Sequence, residues 1–187
     1  MFTRPLLPTD WPVIETLFGP KGACAGCWCM YWRTPGGKAW KTATNEGNRA
    51  RFAELVQGGQ AHGVLAFEGE EPVGWCAVGP RVDFVRLEGS KVLARPGSAG
   101  TWSLNCLYIP ARHRGKGVAT ALVAAATAHA FHLGAAEVEA YPVEPQQPGK
   151  KMPAAFAWTG VPPIFAAAGY APDPTHTGRA IWVRRAG

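Results

Sequence analysis

Arg112, His113, Arg114 and Lys116 crowd around two glycines, Gly115 and Gly117, within "IPARHRGKGVATALVAAATAHAFHLG", and the remainder of that stretch is nearly all alanine and aliphatic. The pattern reads as the first turn of a long helix. A helix start leaves its leading backbone N–H groups unpaired and carries about half a positive charge, so an anion belongs there. Glycines at 115 and 117 remove the side chains that would keep a phosphate away from those N–H groups, while Arg114 and Lys116 add mobile charge beside them.

Two familiar phosphate motifs fit poorly. Walker A is excluded because Lys116 is followed by Gly117, where a Ser or Thr would be needed for magnesium. A dinucleotide fingerprint starting at Gly115 puts Thr120 at the third glycine position, and a basic loop separates the glycines from the preceding strand. Glu137, about 20 residues on, is the one feature in its favour. The plainer alternative is a permissive turn with solvated charges.

A second group capable of chemistry is "CAGCWCMYWR", with Cys24, Cys27 and Cys29 in close spacing. Zinc would need a fourth ligand, from Cys76, Cys106 or one of the five histidines. The interleaved Trp28, Met30, Tyr31 and Trp32 favour burial against apolar partners instead, so no metal is expected. His129 and His132, one turn apart near a helix end, read as surface residues favoured by the helix dipole.

The elements that must position these groups alternate in kind. "FTRPLLPTD" reads as a strand leading into a helix capped by Thr9 or Asp10, with Val13, Ile14, Leu17 and Phe18 on its apolar face. Residues 19–41 show no clean period. "NRARFAELVQGG" has helical spacing, and "AHGVLAFEGEEPVGWCAVGP" is a hairpin signal. Residues 81–100 read as a loop or short helix before the strand "TWSLNCLYI". A helix from about Gly117 to Leu133 follows, then a strand "AEVEAYPV", a Pro- and Gln-rich loop, a short helix at "PPIFAAAG", and a closing strand pair "YAPDP" and "RAIWVRR". Alternation at this spacing argues for a mixed α/β layer fold.

At 187 residues the chain is expected to form a single domain, residues 1–187, burying roughly 70% of its unfolded surface. No window approaches the roughly 18 apolar residues of a membrane helix, and the N-terminus lacks an apolar core of signal-peptide length. Five cysteines do not suggest a secreted disulfide framework, so the cytoplasm is the expected compartment. The net charge of +6 suits an anionic partner, but outside the basic turn the positive residues are scattered, which argues against nucleic acid.

"LYIPARHRGKGVATAL" closely resembles the cofactor-binding signature of the GNAT superfamily of acyl-CoA-dependent N-acetyltransferases: an apolar strand, Pro, a spacer, and Arg/Gln-x-x-Gly-x-Gly/Ala opening a helix. Arg114 to Ala119 fill that pattern in the usual register, and "IFAAAGY" resembles the closing helix and turn. "CWCMYWR" is similar to a segment of uncharacterised bacterial members. The resemblance implies a GNAT-like mixed, mostly antiparallel sheet of about six or seven strands flanked by about four helices. It implies acetyl-CoA as co-substrate and an amine acceptor, in a monomer or homodimer. It also implies that the backbone of Arg114, Gly115, Lys116, Gly117, Val118 and Ala119 holds the coenzyme A pyrophosphate, with Arg112 or Lys116 as flanking charge. Leu107, Tyr108 and Ile109 would then pair with the pantetheine arm and leave an N–H for the thioester carbonyl, a hydrogen bond worth about 3 kcal/mol in the transition state.

The resemblance thins at the chemistry. Many members carry a carboxylate base on the signature strand, where this chain offers only Ser103, Asn105 and Cys106; the usual tyrosine acid of the last helix is Phe165 here. Glu139 is the candidate base, because alternation in "AEVEAYP" puts Glu137, Glu139 and Tyr141 on one face; the alternative is that this face is simply the wet side of the sheet. Tyr141 or Tyr108 could protonate the thiolate, or no acid is needed. Cys106 is a candidate nucleophile, with inert packing as the alternative. Trp28, Tyr31 and Trp32 are candidate walls for a cationic acceptor, against the alternative that they fill the core. The reading is direct transfer of an acetyl or short acyl group from acetyl-CoA to a primary amine of a small molecule or peptide in a ternary complex, with a non-catalytic acyl-CoA-binding or regulatory protein and a metal-stabilised interaction module as the alternatives.

Overall fold

The computed structural model describes residues 1–95, 99–144, 156–177 and 180–187. The Pro- and Gln-rich loop lies largely outside them. Seven strands form one sheet in the order β1-β2-β3-β4-β5-β7-β6: β1 Phe2–Pro5, β2 Gly63–Glu68, β3 Glu71–Pro80, β4 Thr101–Tyr108, β5 Glu137–Ala140, β6 Ala171–Pro172 and β7 Trp182–Arg185. Only β4 and β5 pair in parallel. Six helices flank the sheet among the described residues: α1 Trp11–Phe18, α2 Lys38–Lys41, α3 Asn45–Gln57, α4 Val85–Glu88, α5 Val118–His132 and α6 Pro162–Ala166. The two beyond the expected four, α2 and α4, are single turns inside segments without helical period. No helix among the described residues is long and apolar enough to cross a membrane.

Local chemistry sets the helix ends. At α3 the Thr44 hydroxyl accepts the Gly47 N–H at 3.0 Å. Before α1, Asp10 is turned the other way: it accepts the Leu7 N–H at 2.7 Å and a two-pronged hydrogen bond from Arg4 at 2.5 and 2.8 Å. Asp10 is thus the hinge pin between β1 and α1 rather than a side-chain cap. The Arg4 hydrogen bond holds its carboxyl below the usual aspartate range, against a smaller opposing effect of burial. A lowered folded value means that this stability is present above about pH 4 and disappears as the pH falls through the folded value. Asp10→Asn is therefore expected to flatten the drop in melting temperature below about pH 4, measured across a pH series.

The sheet buries one layer against α5, where Val118, Leu122, Val123, Ala126 and Ala130 meet Val64, Val78, Leu104 and Val138. Alanines make α5 a good helix and let it sit close to the strands. Gly74 on β3 sets that closeness, because a Cβ there would come within 2.8 Å of Leu122 and 2.9 Å of Val118. Gly74→Val is expected to cost about 1–3 kcal/mol in urea unfolding by pushing the start of α5 off the sheet. The opposite face packs α1 and α3 through Ile14, Phe18, Phe52 and Val56 onto Leu65 and Trp75. A third cluster, with Trp32, Phe84, Leu87, Tyr141 and Ile181, continues that face beyond β4.

Candidate active site

The chain from β4 to α5 builds the basic turn in three steps. Pro110 and a 3-10 turn at Ala111–His113 reverse the strand; Gly115 and Gly117 then adopt φ of 74° and 81°, in the left-handed region that favours glycine, and α5 starts. The first backbone bond into the helix is Ala121 N–H to Gly117 C=O at 3.1 Å. No backbone N–H from Gly115 to Thr120 donates to another described residue. A Cβ added at Gly115 or Gly117 would meet nothing within 4 Å, so the space over these donors is open. This is an open cradle of free amides at a helix start.

The flanking charges divide. Arg112 donates to Glu71 at 2.5 Å and to His113 Nε2 at 3.0 Å, which ties it back to the β2–β3 hairpin. Arg114 donates to the Ile109 carbonyl at 2.9 Å. Lys116 is exposed and makes no ion pair among the described residues, so it is the free charge beside the cradle.

Beyond Leu104 the sheet opens. β5 pairs with Thr101–Leu104 and then departs, and Asn105 has no partner in the β3 register, where Val78 faces Leu104 and Ala77 faces Cys106. The bulge turns the Asn105 carbonyl toward Trp32, whose Nε1 donates to it at 3.0 Å. The gap between the strands holds the segment before α6: the Leu107 N–H donates to the Trp158 carbonyl at 2.7 Å, and the Val143 N–H to the Gly160 carbonyl at 2.9 Å. Leu107 is one of the three strand residues, with Tyr108 and Ile109, whose backbone is expected to receive the pantetheine arm. Trp158 stands in that place.

Glu139 and Tyr141 do share a face, but not a wet one. Both are fully buried. Glu139 receives Arg81 at 2.9 Å and Arg95 at 2.8 Å, and Tyr141 donates to it; Tyr141 also meets the Ser103 hydroxyl at 2.9 Å. Arg95 goes on to Glu137 and Asp173. Burial, then the Glu139 charge, pushes the Tyr141 phenol far above its ordinary range. The two residues are links in a buried ion-pair network, so the reading of that face as solvated is corrected by the arginines supplied from residues 81–95. Phe165 is also buried, against Tyr170.

Cys106 is half-buried on β4, with its thiol against that of Cys29. The Trp75 Nε1 also donates to the Cys29 sulfur, at 3.2 Å. The contact with Cys29, then burial, pushes Cys106 well up, and the same contact lowers Cys29 against its own burial. Cys106 is held as a thiol, which makes it a poor nucleophile. All five cysteines are free, and among the described residues no three His, Cys, Asp or Glu side chains gather as a metal site.

The aromatic candidates separate. Trp28 is core, packed on Trp11 and Phe18 and donating to Asn45. Trp32 is buried over the bulge. Tyr31 is half-exposed, edge-on to Trp40 and Trp158, with the Arg86 guanidinium 3.9 Å above its ring. Trp158 and Arg33 are two residues that sequence patterns do not flag. Trp158 lies in an aperiodic run before α6, and Arg33 only ends the aromatic segment; a lone charge after five apolar-rich positions is the one cue it gives.

Solved structures share this architecture. The chain is similar to a ribosomal-protein-alanine N-acetyltransferase from Brucella melitensis at 15% identity and TM-score 0.56, covering 100% of each chain. It is similar to a GNAT family acetyltransferase from Brucella melitensis in complex with acetyl-CoA at 13% identity and TM-score 0.53, over 100% of this chain and 88% of that one. A PaiA N-acetyltransferase from Thermoplasma acidophilum in complex with coenzyme A matches at 14% and 0.52, over 100% of each. These identities speak for the fold alone. No curated protein sequence matches the chain. The model of the acetyltransferase (GNAT) family matches residues 26–153, from the cysteine-rich segment through the splayed strands and the cradle and past β5, and on that match the chain belongs to the GNAT family.

Proposed function

We propose that the protein moves an acetyl or short acyl group from acyl-CoA to the primary amine of a small molecule or peptide, by direct transfer in a ternary complex. The observation that carries the reading is the row of undonated amides from Gly115 to Thr120 under open space, beside a strand that parts from its neighbour. The similarity to structures holding acetyl-CoA or coenzyme A supports it. Acetyl-CoA, when bound, supplies an activated carbonyl and a thiolate able to leave.

The chain's own residues do the rest. The amides of Gly115, Lys116, Gly117, Val118 and Ala119 bind the pyrophosphate, with Lys116 and Arg114 as flanking charge; Arg112 stays with Glu71. Leu107, Tyr108 and Ile109 offer backbone to the arm, and the Leu107 N–H exchanges the Trp158 carbonyl for the incoming acceptor atom. Because Cys106 is held as a thiol, a covalent acyl-enzyme is disfavoured. Because Glu139 and Tyr141 are committed to arginines and Ser103, catalysis rests on orientation rather than on either group, and orientation alone supplies large accelerations.

The test is thermal melting with and without acetyl-CoA, beside a free-thiol assay over amines, peptides and aminoglycosides. A melting shift with amine-dependent thiol release is expected. A shift without release over the whole panel would favour an acyl-CoA-binding protein that does no chemistry, the reading that Trp158 in the gap and the locked Glu139 support. No shift at all would remove the coenzyme from the account.

A further inference from the structure

A cavity of about 570 Å3 opens on the α3 side of the sheet, far along β4 from the cradle, with Met30, Arg33, Arg51, Leu55, His62 and Asp83 among its lining. Its place is fixed by His62, whose ring lies 5.2 Å from that of Trp102 at the start of β4. The volume suits a small organic molecule.

Arg33 is the unusual member. Its side chain is only 8% exposed, and its guanidinium lies 4.7 Å over the ring of Phe84. Its nearest carboxylate, on Asp83, is 3.7 Å away, beyond hydrogen-bond length. Among the described residues no side-chain hydrogen bond from Arg33 is found beside this long ion pair. A guanidinium carries five N–H donors, and one long ion pair leaves those of Arg33, on the cavity wall, open to a ligand. Burial accordingly pushes Arg33 down from the ordinary arginine range.

Charge and shape choose the ligand class. Arg51 is exposed and loosely held, 3.4 Å from the Thr34 hydroxyl, so it can turn toward the cavity. His62 is kept neutral at pH 7 because burial lowers its value. Two guanidiniums against the Asp83 carboxylate leave one positive charge, which a monocarboxylate neutralises and a phosphate dianion would exceed. A planar carboxylate also matches the guanidinium fork. Met30 and Leu55 offer apolar surface to the rest of the molecule. Met30 follows Cys29, whose sulfur touches Cys106 next to Leu107, so the inner wall leads toward the bulge on β4.

We propose that this cavity binds the carboxylate of the acceptor, so that the substrate is an amine bearing a carboxylate several bonds from its amino group, held by Arg33 with Arg51 as its second. The acceptor role rests on the acyltransferase reading; the binding site does not.

Calorimetry without acetyl-CoA, using hexanoate and hexanamide as probes, tests the site. Hexanoate is expected to bind and hexanamide not. Arg33→Gln should weaken hexanoate about tenfold or more and Arg51→Gln about threefold, with acetyl-CoA-induced melting shifts unchanged in both. Equal affinity for the two probes, or no binding of either, would overturn the site; that comparison uses the unmutated protein and survives a variant that fails to fold. The thiol assay then compares ω-aminohexanoate with ω-aminohexanamide. Faster release from the carboxylate is expected. Bound hexanoate with no such preference would overturn the acceptor assignment while leaving the coenzyme reading to its own melting test.

Discussion

Gly117→Glu is expected to weaken acetyl-CoA binding by at least about 100-fold, read by calorimetry. Gly117 holds φ 81° and ψ 0°, and a Cβ there meets no protein atom within 4 Å. A side chain would therefore clash with nothing of the protein's own and would stand in the open space over the free amides. A carboxylate about 4 Å from a diphosphate charge, at the effective dielectric of a protein surface, is repelled by about 4 kcal/mol, which is more than 100-fold in affinity. The left-handed backbone adds about 1–2 kcal/mol of strain, felt in stability as well as in binding. Gly117→Asn separates the two effects, because asparagine tolerates that conformation and brings no charge; it should bind several-fold more weakly than the natural protein and far better than the Glu variant. Lys116→Ala removes a flanking charge that is exposed and makes no ion pair among the described residues, and should cost only a few-fold. Affinity of the Glu variant within about threefold of the natural protein would show that the diphosphate lies elsewhere.

The cradle was legible in the sequence because every part of it is local. Two glycines, the charges around them and the alanine run that follows fall within twenty residues, and helix-start physics needs nothing from outside. The surroundings of Glu139 were not legible, since its partners Arg81 and Arg95 lie 58 and 44 residues away in a segment without period. Alternation correctly put Glu139 and Tyr141 on one face, but alternation says nothing about what covers a face. The aromatic run from Trp28 to Trp32 is a similar case. Ala23, Ala25, Trp28 and Cys29 all have positive φ, so the segment follows neither helical nor strand spacing, and no pattern could sort buried Trp28 from half-exposed Tyr31. The carbonyl of Trp158 in the strand gap is the least readable feature, because it depends on a main-chain contact between residues 51 positions apart.

Glu139→Ala is expected to lower unfolding stability by about 3–5 kcal/mol, measured by urea titration. Arg81 is 2% exposed and Glu139 not at all, so removal of the carboxylate leaves one guanidinium, almost wholly out of water, with only the Glu88 ion pair at 3.4 Å and the Leu93 carbonyl at 3.2 Å, and strips Arg95 of one of its three acidic partners. The Tyr141 hydroxyl also loses one of its partners and keeps Ser103. The result separates two roles for the same residue. As a general base, Glu139 would show a loss of about 100-fold or more in turnover with melting little changed. As a link in the buried network, it should show the reverse: a large loss of stability, with turnover per folded molecule and the pH–rate profile largely retained at low temperature. Pairing the change with its partner sharpens the test. Glu139→Leu with Arg81→Met removes both charges and leaves apolar side chains in their place, and buried ion pairs replaced in this way often regain stability. Recovery of stability in the double variant, with turnover intact, would identify Glu139 as scaffold for the strand bearing the bulge; turnover lost in both variants would return it to the chemistry.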